Sequence, residues 1–172
     1  LSTYHRKIKT YLNYTMQKFK ILFSKKNLKP IINFGSMPLG NGFTDGNLKK
    51  EYKFKMKVGY NSNLSLFQLY SNPNPKKMFN KNYAFLSSTS NSMKVHFKKY
   101  ADECSFRFLK KHSKILDIAS NDGSFLKFFN KRNTRVGIDP AKNIISNIKS
   151  PGYFIENKFF NLKESERLKK KI

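Results

Sequence analysis

Two aspartates carry the chemistry this chain could perform. Asp117 closes the apolar run Ile115-Leu-Asp-Ile118, and Asp139 closes Val136-Gly-Ile-Asp-Pro140, 22 residues further on. Between them Ala119-Ser-Asn-Asp-Gly123 reads as a tight turn. A small residue and a glycine there let backbone approach a ligand closely. In an open parallel sheet, ligands sit beyond the carboxyl ends of the strands. An acid at this spacing accepts bonds from ribose hydroxyls in nucleotide-binding folds. The turn lacks the full G-x-G-x-x-G, which argues against a dinucleotide. A nucleoside cofactor such as S-adenosylmethionine fits better, with Asp117 near its amino group and Asp139 on its ribose. The same two carboxylates could equally cap adjacent helices, and spacing alone leaves both roles open.

The elements that must position these residues fall into four segments. Residues 1–29 form a basic arm, helical from Ile8 to Phe23. Residues 30–79 carry short β-like runs punctuated by Gly35, Pro38, Gly40-Asn-Gly42 and Asp45-Gly46. There Tyr52-Lys-Phe-Lys-Met-Lys-Val58 alternates apolar and basic residues, as in a half-buried strand with a cationic outer face. Leu64–Leu69 is its expected hairpin partner, with Gly59–Asn63 as the turn. Residues 80–112 are a linker and then a helix from Asn91 to Lys111, whose Met93, Phe97, Tyr100, Cys104 and Phe108 share a core-facing stripe. Residues 113–172 hold the α/β unit: the first strand and its turn, a helix with Phe125, Leu126, Phe128 and Phe129 on one face, the second strand, and a third over Tyr153–Ile155.

Composition bounds the partners. The chain has 172 residues, with 35 Lys and Arg against 10 Asp and Glu, a formal net charge of +25. AT-rich codons explain the lysines but not the scarcity of acids. Such a charge destabilises a compact state by self-repulsion unless a polyanion offsets it. The candidate RNA contacts are Arg6, Lys7, Lys9, Lys25, Lys26, Lys49, Lys50, Lys169, Lys170 and Lys171. A single cysteine, Cys104, excludes an internal disulfide and a multi-cysteine metal site. His5, His96 and His112 are far apart, so no metal site is expected. Glu156, Glu164 and Glu166 read as a solvated face. No apolar run is long enough to span a bilayer.

The chain resembles the N-terminal half of bacterial S-adenosylmethionine-dependent sugar C-methyltransferases. The resemblance runs from about residue 28 to about 165. It rests on Phe34-Gly-Ser-Met-Pro-Leu-Gly-Asn-Gly-Phe43, Phe67-Gln-Leu69, Met78-Phe with Tyr83, Ser87-Ser-Thr-Ser90, His96-Phe97, Ile118-Ala-Ser-Asn-Asp-Gly123, and Gly137-Ile-Asp-Pro140 with Asn143. It implies an α/β fold: a truncated Rossmann-like methyltransferase unit preceded by a small β-rich domain. It also implies a cofactor site of Asp117, Ser120, Asn121, Gly123 and Asp139, with Tyr83 facing the same cleft. That family's small domain is built on a zinc held by two Cys-x-x-Cys pairs. The aligned positions here are Lys20, Phe23, Asn61 and Leu64, so the zinc ligands are lost. The family also continues for a catalytic half beyond the point where this sequence stops, so an exposed sheet edge is expected and no catalytic residue is assigned.

Charge, lost ligands and the shortened α/β unit together lead to an expected function. It is a non-catalytic, RNA-contacting subunit of a large organellar assembly, a mitochondrial ribosome above all, derived from a methyltransferase. Its partners would be RNA, chiefly rRNA, and neighbouring subunits, with no cofactor required. A first residue of Leu fits a processed end, an incomplete sequence or an unorthodox organellar start codon, and the sequence alone does not choose among them. The alternative is a half-enzyme completed by another chain, with S-adenosylmethionine as cofactor, and a third option is a subunit of a membrane-bound organellar complex with its basic face on anionic lipid.

Overall fold

A computed structural model describes residues 25, 27–41, 43, 46–47, 51–146, 148 and 152–171. The arm helix expected over Ile8–Phe23 lies outside the described residues. So do Arg6, Lys7, Lys9, Lys26, Lys49, Lys50 and the side chain of Lys171. The described residues form a mixed α/β fold, with one antiparallel and one parallel three-stranded sheet. It divides into two compact units, one of Leu1–Leu39 with Tyr52–Pro73, the other of Gly40–Glu51 with Asn74–Ile172.

The first unit is the antiparallel sheet, ordered β1 (Leu28–Pro38), β2 (Lys53–Asn61), β3 (Leu66–Leu69). Gly35, a turn signal in the sequence, instead sits in a bulge of β1. Its φ is +73°, its N–H donates to Asn33 Oδ1 at 3.0 Å, and the pairing with β2 slips between Asn33 and Ser36. Bulges of this kind are at home on edge strands, as are the prolines at the two ends of β1. Gly59 is likewise in the strand rather than the turn. A Cβ there would meet Lys29 O at 2.6 Å, Leu28 Cγ at 2.8 Å and Tyr70 Cε2 at 2.8 Å. The turn comes later, where Asn61 Oδ1 accepts from Asn63 N at 3.1 Å and Asn61 O from Leu64 N at 3.2 Å. Tyr70 ties the unit together by donating its hydroxyl to Leu28 O at 2.7 Å.

The second unit opens with α1 (Pro75–Met78), capped by Asn74, whose Oδ1 accepts from Lys76 N at 3.0 Å. A 3-10 turn at Ser87–Thr89 leads into α2 (Asn91–Phe108), where Ser90 Oγ caps by accepting from Met93 N at 3.2 Å. The helix buries Ala101 and leans Phe97 and Tyr100 on Phe125, at ring distances of 5.5 and 5.4 Å. The stripe expected to be core is only partly so. Met93, Phe97 and Cys104 are half-buried, but Tyr100 is 50% exposed and Phe108, at the far end of the helix from that contact, is 74% exposed.

The parallel sheet is ordered β4 (Lys114–Ile118), β5 (Thr134–Asp139), β6 (Phe154–Asn157). Central β5 is buried from Arg135 to Asp139, as a strand covered on both faces must be. In place of a helix after the turn there is one 3-10 turn, Leu126–Phe128. Arg135 caps its end, with Nη1 donating to Leu126 O and Phe129 O, each at 3.2 Å. After β5 come α3 (Lys142–Ser146) and, following β6, α4 (Leu162–Lys171). Leu168 of α4 packs on Val136 and Ile138 as the core of this unit.

Of the three acids expected on a solvated face, Glu166 is exposed, but Glu156 and Glu164 are buried, and Arg167 bridges both, with Nη2 on Glu156 and Nε on Glu164 at 2.7 Å. Asn161 caps the helix by accepting from Glu164 N at 3.0 Å. β4 is an edge strand whose Leu116 and Ile118 are 37% and 50% exposed. No helix among the described residues is long and apolar enough to cross a membrane.

Candidate functional site

The site is built on the turn Ala119–Gly123 at the carboxyl end of β4. Its backbone alternates: Ala119, Asn121 and Gly123 all have positive φ, at +60°, +51° and +68°. For alanine that conformation costs roughly 1–2 kcal/mol. The turn is held by β5. Ala119 N and Ser120 N donate to Ile138 O at 2.9 and 3.3 Å, and Asn121 N donates to Asp139 Oδ2 at 2.9 Å. The other oxygen, Asp139 Oδ1, accepts from Ala141 N at 2.8 Å and turns the chain toward α3. At 6% exposure, Asp139 therefore spends both oxygens on backbone.

The alternating backbone turns the side chains of Asn121 and Asp122 onto the linker. Asn121 Oδ1 accepts from Ser87 N at 3.0 Å, and its Nδ2 donates to Phe85 O at 3.1 Å. Asp122 Oδ2 accepts from Ser88 N at 3.0 Å, while its Oδ1 accepts from Ser124 N and Oγ at 3.1 and 2.5 Å. Burial pushes the Asp122 carboxyl up, but the bonds from Ser124 and Ser88 outweigh it and hold the group below the ordinary range. Asn143 completes the clamp from α3, its Nδ2 donating to Tyr83 O at 2.8 Å. The ring of Tyr83 lies against Phe79 at 5.4 Å.

Gly123 is required by packing. A Cβ there would collide with ring atoms of Tyr153, whose hydroxyl donates to Asp122 O at 3.0 Å. Burial, and then the Asp122 charge, raise the Tyr153 hydroxyl above its ordinary value, with Arg135 pulling the other way. Ser120 lies close over Gly137, where a Cβ would collide with its Oγ.

Three groups keep chemical capacity. Asp117 is half-buried, and burial, then the charge of Asp139, push its carboxyl up to about 6. Ser120 Oγ and Asn143 Oδ1 are buried without a hydrogen-bond partner among the described residues. A ligand here would be held by these three rather than by Asp139 or the Asn121 amide. Asp117, Ser120, Asn121, Gly123 and Asp139 thus come together at the ends of two parallel strands, and Tyr83 joins them through its carbonyl. Lys169 and Lys170 are exposed on α4, and Lys25 is exposed in the other unit. No group of three or more His, Cys, Asp or Glu among the described residues is arranged to hold a metal.

Sequence reasoning overlooked Asp122, Ser124 and Tyr153 as parts of this site and did not assign Asn143 a role. A signal was available for one of them, since Asn and Asp side chains in turns seek nearby backbone N–H groups. Bonds spanning 34 residues to the linker leave no periodic trace.

Fold and site together define a mixed α/β protein whose parallel strands end in an aspartate-bearing turn clamped to a preceding linker. No protein-family model and no curated protein matches the chain.

Two outcomes follow. Gly123→Ala should cost about 2–4 kcal/mol in urea unfolding, from the ring clash plus the left-handed backbone. Part of that cost should disappear in a Tyr153→Leu background, and a loss below about 0.5 kcal/mol would contradict the packing account. Asp117 binds its proton up to about 6 when folded, against an ordinary 3.8. The folded chain therefore holds more protons in that window, and stability falls as pH rises through it. Asp117→Asn should be more stable than the parent at pH 7, a gain that fades toward pH 3.8. An equal effect at both pH values would contradict it.

Proposed function

We propose that the protein is a non-catalytic, RNA-contacting structural subunit of a large organellar assembly, a mitochondrial ribosome above all. Charge carries the reading. Lys and Arg outnumber Asp and Glu 35 to 10, and Leu1–Leu39 and Tyr52–Pro73 contain no acid at all. Self-repulsion on that scale is relieved by a polyanion, which gains affinity through counterion release. The turn supports the non-catalytic half of the reading, because Asn121, Asp122 and Asp139 all have work within the fold. Residues usually associated with a ligand are here explained without one.

A second reading is an S-adenosylmethionine-dependent C-methyltransferase unit completed by another chain. The unpartnered Ser120 Oγ and Asn143 Oδ1 favour it, together with half-buried Asp117. Against it, the acid expected on a ribose, Asp139, already accepts a backbone N–H at each oxygen.

Sedimentation of the native chain from its source, with and without RNase, tests the first reading. Migration with ribosomal subunits and release by RNase is the expected result. A small complex indifferent to RNase would overturn it, and binding of S-adenosylmethionine by that complex would establish the second.

A further inference from the structure

The antiparallel sheet carries a row of positive charge along β2. Successive residues of a strand face opposite sides, so Lys53, Lys55 and Lys57 of β2 share one face, and Phe54, Met56, Val58 and Tyr60 the other. Directly opposed residues of an antiparallel pair share a face. The register therefore adds Ser36, opposite Lys55, and Asn33, opposite Lys57, to the lysine side. It sends Met37 and Ile32 to the apolar side, opposite Phe54 and Val58.

The lysines recur about every 7 Å along β2. Lys57 is steadied with its ammonium 4.8 Å from the centre of the Tyr70 ring, and Lys53 and Lys55 are exposed. Lysine presents a point charge rather than a fork, which suits phosphate oxygens without reading bases. An extended sugar-phosphate chain repeats its charge on the same length scale as this row. A duplex, whose phosphates curve away around a cylinder, meets a straight row less well.

We propose that the Lys53-Lys55-Lys57 face of the antiparallel sheet is a track for the phosphates of single-stranded RNA, with Asn33 and Ser36 as flanking polar groups. The inference rests on the RNA-contact reading and gives it a location.

The test uses the full chain and a single-stranded RNA of about 12 nucleotides, with affinity measured across a salt series. The variants are Lys53→Gln/Lys55→Gln/Lys57→Gln, the same three lysines changed to Arg, and Lys110→Gln/Lys111→Gln/Lys131→Gln as a control of equal charge loss elsewhere. With three fewer phosphates of a single strand neutralised, the log–log salt slope should fall by about 2, and affinity about 100-fold at 0.1 M salt. The Arg variant should bind like the parent, the control should lose much less, and a duplex should bind less tightly than the single strand. Equal losses from the row and the control would overturn the track while leaving RNA contact standing. So would loss in the Arg variant. A parent that binds no RNA would overturn the underlying reading. Binding to phosphatidylserine vesicles in place of RNA would make the row a membrane contact and overturn the proposal.

Discussion

The second unit turns on one carboxylate. Asp139, at the end of the central parallel strand, accepts Asn121 N with one oxygen and Ala141 N with the other. The first bond holds the end of β4 in a backbone that alanine, at Ala119, does not favour on its own. A hydrogen bond to a charged acceptor contributes roughly 1.5–3 kcal/mol, enough to offset that strain. Once the turn is held, Asn121 and Asp122 face the linker and bond Ser87 and Ser88, while the space above Gly123 receives the Tyr153 ring. A buried acid, a strained turn and a linker bonded across 34 residues are thus consequences of one placement.

That arrangement changes what the Asn-Asp-Gly turn means. Here Asp139 and the Asn121 amide are committed to backbone, and Asp122 to Ser88 and Ser124. These residues bond the linker to the parallel sheet. The unpartnered Ser120 Oγ and Asn143 Oδ1 are the polar atoms that the clamp leaves uncommitted.

Much of the local structure was legible in the sequence. Alternation along Tyr52–Val58 marked β2 and its cationic face, and the apolar runs around Asp117 and Asp139 marked two parallel strands. What escaped was set by single long-range contacts. Gly59 read as a turn residue, but crowding by Leu28, Lys29 and Tyr70 is what requires it. The Phe125–Phe129 segment had a helical apolar pattern, yet it forms only a 3-10 turn, whose end is capped by Arg135 from β5. Glu156 and Glu164 looked solvated because their partner, Arg167, is recognisable only once α4 lies against the sheet.

Amide hydrogen exchange at Ser87 and Ser88 tests the clamp most directly. Both N–H groups donate to side chains of the turn, so they should exchange orders of magnitude more slowly than in an unstructured peptide. Asp122→Ala should release Ser88 while β5 amides stay protected. Exchange of both serines at the unstructured rate in the parent chain would contradict the clamp, and with it the view that the turn serves the fold.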